Sequence, residues 1–169
     1  MDNIIKTFTS KEFVKTICQT IKTQANLNIQ EKGSFTFVLS GGETPKMIFD
    51  ELVFNYKGHI DWSKVHFFWL DERCVPPTNE NSNYKLANDH LISKLPNVGS
   101  IHRIKGEMVP YKAVKEYKKE ILFFFGASKF QFDFILLGMG EKDGHIASLF
   151  PNSREIQLQK EITIATDRE

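Results

Sequence analysis

Residues 130–152 read FQFDFILLGMGEKDGHIASLFPN. Aromatic and branched side chains, which suit a strand, run as far as Leu137; glycines then stand at 138, 140 and 144, with Asp143 and His145 among them. A hydrophobic run that breaks into a glycine-rich polar turn and resumes as an apolar segment reads as a buried strand handing its chain to a loop and then a helix-like tail.

The same grammar recurs upstream. SFTFVLS (34–40) is bounded by Gly33 and Gly41-Gly42, and Thr44 and Pro45 then open a helix through Met47, Ile48, Leu52 and Val53, with Thr44 as its N-cap. VHFFWL (65–70) is a second strand, followed by a polar loop and a helix over NYKLANDHLISKL (83–95). Thr9 or Ser10 caps a first helix whose apolar positions Phe13, Val14, Ile17, Cys18 and Ile21 share one face and which ends near Asn26. A helix over 111–125 precedes the strand at 132–138, and EITIAT (161–166) reads as one more strand. Phe123, Phe124 and Phe125 cannot share one helix face, so one of them should point away from the core. Hydrophobic strands alternating with helices predict an α/β fold, an open and mainly parallel sheet with helices on both faces.

Bulk properties exclude several function classes. A chain of 169 residues with 41% hydrophobic content suits a single domain. The net charge is +1 and the 22 basic residues are scattered, so the electrostatic footprint of a nucleic-acid binder is missing. Cys18 and Cys74 form no disulfide framework, which fits a reducing compartment. The first residues lack the basic head and apolar core of a signal peptide, and the apolar runs at 121–127 and 134–140 fall far short of the ~20 residues that cross a bilayer. A cytoplasmic protein without membrane or nucleic-acid partners is expected.

In open parallel sheets the ligand site lies beyond the carboxyl ends of the strands. The three stretches found there are SGGETP, DERCVPP and GMGEKDGHIAS. In the first, Gly41 and Gly42 admit close backbone approach, Ser40 and Thr44 add hydroxyls, and the helix that follows presents unpaired N–H groups to an anion such as phosphate. In the second, Arg73 offers a fork of donors for phosphate or carboxylate, and Asp71 and Glu72 can orient it or meet sugar hydroxyls. In the third, the glycine spacing fails the dinucleotide fingerprint, so no cofactor is expected. His145 can take a proton from water near neutral pH, with Asp143 to fix its tautomer. His59, His66, His90 and His102 sit in ordinary contexts, and none of the five histidines shows metal-ligand spacing.

SGGETP, WLDERCVPPTNENSNYKLANDHL and FILLGMGEKDGHIASLFPN resemble, in order and separation, three signature blocks of the 6-phosphogluconolactonases. The resemblance implies a Rossmann-like open sheet shared with glucosamine-6-phosphate isomerases, and hydrolysis of 6-phospho-D-glucono-1,5-lactone without metal or cofactor. It makes His145 the base that activates water, with Asp143 beside it, and gives Ser40, Gly41, Gly42 and Arg73 to the sugar-phosphate site. Two features depart from the pattern. Glu141 and Lys142 both separate Gly140 from Asp143, where the family usually has one residue. Family members also run on past this point, so residues 1–169 are expected to form one domain lacking its C-terminal part, and fusion to a glucose-6-phosphate dehydrogenase domain, as in some protozoan lineages, is a further expectation. The sister isomerase/deaminase activity is the alternative. It calls for a glutamate where Ser148-Leu149-Phe150-Pro151 stands and a tyrosine at Arg73. A non-catalytic sugar-phosphate-binding domain is another.

Overall fold

Side chains along β1 (Phe35–Leu39) alternate between two apolar environments, and this alternation orders the molecule around it. The computed structural model describes residues 9–126, 130–158 and 160–166. Phe35, Phe37 and Leu39 join Val65, Phe67 and Trp69 of β2 (Val65–Trp69) on one side of the sheet. Helices α1 (Ser10–Lys32), α2 (Glu43–Glu51) and α3 (Asn83–His90) cover that side through Val14, Cys18, Ile21, Ile48, Phe49 and Ala87. Val38 and Phe68 face the other side, where Tyr117 and Ile121 of α4 (Pro110–Phe125) meet them. Each large side chain so buried contributes roughly 1.5–3 kcal/mol.

The sheet is parallel throughout, in the order β3-β2-β1-β4, with β3 at Ser100–His102 and β4 at Phe134–Ile135. The α/β class, the parallel sheet and the two helical layers agree with the sequence reading; the boundaries differ in instructive ways. α1 continues past Asn26 to Lys32, because Ala25 and Ile29 prolong the buried stripe begun by Ile21, and Gly33 closes it with its N–H on the Ile29 carbonyl. α2 is capped by Gly42 (φ 105°) and begins at Glu43, so Thr44 and Pro45 lie inside its first turn, where no N–H has an intrahelical partner. The third helix is α up to His90 and 3-10 from Ile92 to Lys94. β3, too short to show a period, was not foreseen.

The strand expected over 132–138 pairs only at Phe134 and Ile135, followed by the Leu136 N–H on the Val38 carbonyl. Upstream, the Asp133 carboxylate does the work of a ladder. It accepts the Thr36 N–H (2.8 Å) and hydroxyl (2.9 Å), and Lys32 Nζ lies 2.5 Å from its other oxygen. EITIAT is not a strand. Ile162 packs on the α4 cluster and the Thr163 hydroxyl donates to the Val114 carbonyl, so this segment follows a helix instead of a sheet edge. Of the three consecutive phenylalanines, Phe124 and Phe125 pack inward and Phe123 is 92% exposed.

β3 stops opposite Phe68, leaving the outer edge of Trp69 without a strand. The buried Tyr117 hydroxyl fills the gap, donating to the Trp69 carbonyl (2.7 Å) and accepting its N–H (2.9 Å). Beside it, His66 Nδ1 lies 2.7 Å from Ser100 Oγ, Ser100 Oγ lies 2.6 Å from His102 Nε2, and His102 Nδ1 lies 2.9 Å from Glu120 Oε1. A carboxylate only accepts, so Nδ1 of neutral His102 carries its proton, its Nε2 accepts from Ser100, and Ser100 accepts from His66.

Tyr117→Phe should cost about 1–3 kcal/mol, because it strands a buried N–H and carbonyl together, and chemical denaturation will read it. Burial, aided by the neighbouring His102, holds His66 below the ordinary imidazole value. The unfolded chain then binds the proton more readily, so this contribution is complete above pH ~6.5 and is lost as pH falls through the lower folded value. The same network holds Glu120 on α4, bonded to His102. The denaturation midpoint should fall below pH ~6.5, and His66→Gln should flatten that part of the profile.

Candidate active site

β1 lies between β2 and β4, so the chain leaves three adjacent strands at one edge of the sheet, where the crossover direction changes. The residues that follow are Ser40 to Gly42, Leu70 to Cys74 and Leu137 to Phe150. All the site residues expected from sequence fall in these stretches or in the first turn of α2.

His145 sits on a turn closed twice by its own backbone. The Gly144 N–H donates to the Gly140 carbonyl (2.9 Å), and the Gly140 N–H donates to the His145 carbonyl (2.7 Å). Glu141 and Lys142, the pair that departs from the family spacing, are exposed on the outside of this turn. Its inside is crowded: a Cβ on Gly140 would lie 2.2 Å from His145 Nδ1 and 2.5 Å from Asp143 Oδ1. That absent atom lets His145 Nδ1 reach Asp143 Oδ1 at 2.5 Å, while the His145 N–H donates to the same oxygen at 3.3 Å. Phe150 stacks on the imidazole with centroids 5.0 Å apart. The hydrogen bonds from His145 keep the Asp143 carboxyl below its ordinary range. An ionised Asp143 requires the proton on Nδ1, which leaves the Nε2 lone pair free to receive another.

Asp71 makes the second constellation. Its Oδ2 accepts the Ser148 hydroxyl (2.7 Å), and Asn83 Nδ2 donates to both its Oδ1 (3.1 Å) and its carbonyl (3.0 Å). Asn83 also crowds the β1 loop, since a Cβ on Gly41 would lie 1.9 Å from its Oδ1. Glu72 turns the other way and caps α3, taking the N–H groups of Asn83 (2.7 Å) and Tyr84 (2.9 Å) and the Ser82 hydroxyl (2.9 Å). An anion at a helix N-terminus is favoured by the unpaired N–H groups there.

His145 and Asp143 are thus in contact, and Asp71 is tied to the His145 loop through Ser148. Ser40 is buried, Thr44 and Arg73 are exposed, and among the described residues no hydrogen bond joins their side chains to that loop. Sequence reasoning passed over Asn83, which it placed at the start of a helix, and Ser148 and Phe150, which carried no local signal. Among the described residues no group of three or more His, Cys, Asp and Glu is placed to hold a metal ion. Gly140→Ala should push His145 off Asp143, shifting the imidazole NMR signals and lowering any His145-dependent rate about 10–100-fold, with the unfolding midpoint little changed because the loop lies outside both apolar clusters.

Residues 9–169 match the family described as glucosamine-6-phosphate isomerases/6-phosphogluconolactonase. A 6-phosphogluconolactonase of Treponema pallidum is 42% identical over 121 residues, covering 70% of this chain and 50% of that protein. A probable 6-phosphogluconolactonase of Arabidopsis thaliana is 39% identical over 161 residues, covering 85% of this chain and 61% of that one. The crystal structure of a 6-phosphogluconolactonase from Thermotoga maritima superposes with a TM-score of 0.71 at 33% identity, covering 80% of this chain and 59% of that one. The chain spans about half the length of the curated relatives it matches. By family match, identity and fold, this chain belongs to the glucosamine-6-phosphate isomerase/6-phosphogluconolactonase family.

Proposed function

We propose that the chain carries the water-activating machinery of a 6-phosphogluconolactonase, which hydrolyses 6-phospho-D-glucono-1,5-lactone to 6-phospho-D-gluconate in the oxidative pentose phosphate pathway. The observation that carries this reading is the 2.5 Å contact from His145 Nδ1 to Asp143 Oδ1, which places the neutral ring's proton on Nδ1 and leaves Nε2 as the acceptor. In the reaction, Nε2 removes a proton from water as its oxygen attacks the lactone carbonyl. The tetrahedral oxyanion then collapses, the bond from C1 to the ring oxygen breaks, and the imidazolium returns its proton to that oxygen. Asp143 stabilises the imidazolium between the two transfers.

Ser40, Gly41, Gly42 and Thr44, at the start of α2, and the exposed fork of Arg73 are the groups assigned to the sugar phosphate. A helix start and a guanidinium both suit a dianion. Held there, the phosphate would keep C1 near the water, so remote binding energy serves the reacting end. The substrate is a small water-soluble ester, the proposed setting is the cytoplasm, and no helix among the described residues is long and apolar enough to cross a membrane. The sister isomerase reading lacks its acid, since Ser148 and Leu149 follow the histidine turn.

The test is lactone hydrolysis above the spontaneous background, using freshly generated substrate, with wild type and His145→Ala compared. A loss of about 10²–10⁴-fold in a folded variant is expected. No acceleration by the wild type would sink the proposal for this chain. Asp143, held below the ordinary carboxylate range by its bonds to His145, should add no limb of its own to the kcat/KM profile in that range.

A further inference from the structure

We infer that Asp71 is a positioning residue, a clasp held by Asn83 and Ser148 that sets the His145 loop against the start of α3. Its effect on rate rests on the lactonase reading above; its effect on the loop does not. Both carboxylate oxygens are engaged, Oδ2 by the Ser148 hydroxyl at 2.7 Å and Oδ1 by Asn83 Nδ2 at 3.1 Å. Among the described residues, Ser148 to Asp71 is the side-chain hydrogen bond that joins residues 139–149 to another loop. The remaining hydrogen bonds within that segment are local, pairing Gly140 with Gly144 and His145, Asp143 with His145, and Ile146 with Leu149.

The anchor at the other end is firm. Asn83 is 4% exposed, its N–H is fixed on Glu72 Oε1, and its side chain is wedged against Gly41, where no Cβ would fit. A chain of contacts therefore runs from the β1 loop through Asn83 and Asp71 to Ser148, close in sequence to His145. Ser148 also follows Ala147, whose φ of 53° is unusual for a residue with a side chain and needs its surroundings to hold it. A carboxylate placed to bind sugar hydroxyls would keep its oxygens toward the ligand, whereas this one spends them on two protein donors.

The test compares Ser148→Ala, Asp71→Ala, the double variant and Ser148→Thr in the full 169-residue chain, by amide hydrogen exchange and by lactone kinetics. Exchange at Gly140, Ile146 and Leu149 should quicken about tenfold in each single alanine variant, with no further gain in the double and with recovery in Ser148→Thr, which keeps the hydroxyl. Amides of β1 and β2 should stay protected. In kinetics, kcat should fall about tenfold while KM moves less than about twofold, the signature of a mispositioned base. Unchanged exchange in Ser148→Ala, or a raised KM at constant kcat in Asp71→Ala, would overturn the inference, the latter making Asp71 a substrate ligand. A wild type without turnover would count against the lactonase reading alone, because the exchange results still decide the role of Asp71.

Discussion

The parallel pairing of β1 with a neighbour on each side is the constraint from which the rest follows. Every residue of Phe35–Leu39 is buried, so β1 must be central and covered on both faces. Parallel neighbours then force the chain to leave β1, β2 and β4 at the same edge, and the polar loops that cannot enter the core gather there. The convergence of SGGETP, DERCVPP and GMGEKDGHIAS is thus a by-product of how the core is buried.

Where the sheet is too short to satisfy its own backbone, side chains complete it. Asp133 serves the Thr36 end of β1, Tyr117 serves Trp69 at the end of β2, and Glu72 serves the opening of α3. Each leaves a buried polar group paired that would otherwise cost about 1–3 kcal/mol. Lys32 and Asp133 belong to this pattern too. Their ion pair, with the carboxylate only 8% exposed and the lysine 45% exposed, does more to keep Asp133 aimed at Thr36 than to add stability of its own.

At the site, chemistry depends on close approach. Without a Cβ at Gly140, His145 and Asp143 meet over a turn that bonds to itself, so the imidazole and its carboxylate partner come from one short segment and need little help from the core to find each other. The orientation of that whole turn relative to the β1 and β2 loops is a separate matter, settled by Asp71, Asn83 and Ser148. The division separates what fixes the imidazole's tautomer from what points it. It also explains how Glu141 and Lys142 are tolerated: both are exposed, on the outside of the turn.

The apolar runs at 35–39 and 65–69, the glycine turns at their ends and the Asp-Gly-His after the last strand were legible along the chain, because a strand buried on both faces and a left-handed or crowded turn each restrict which residues can stand there. From these alone came the α/β class, the central strands and the identity of His145 and Asp143 as partners. Element ends were less legible: α1 outran its polar stretch because a buried face is decided by what packs on it, and EITIAT lay along α4 because β-prone residues form a strand only where a free edge receives them. Asn83 and Ser148 were invisible as a pair, since serine and asparagine suit caps and turns anywhere and only the fold brings them to the two oxygens of Asp71. Local backbone sterics write the turns and periods into the sequence; contacts between residues distant along the chain exist only once the sheet has stacked its loops at one edge.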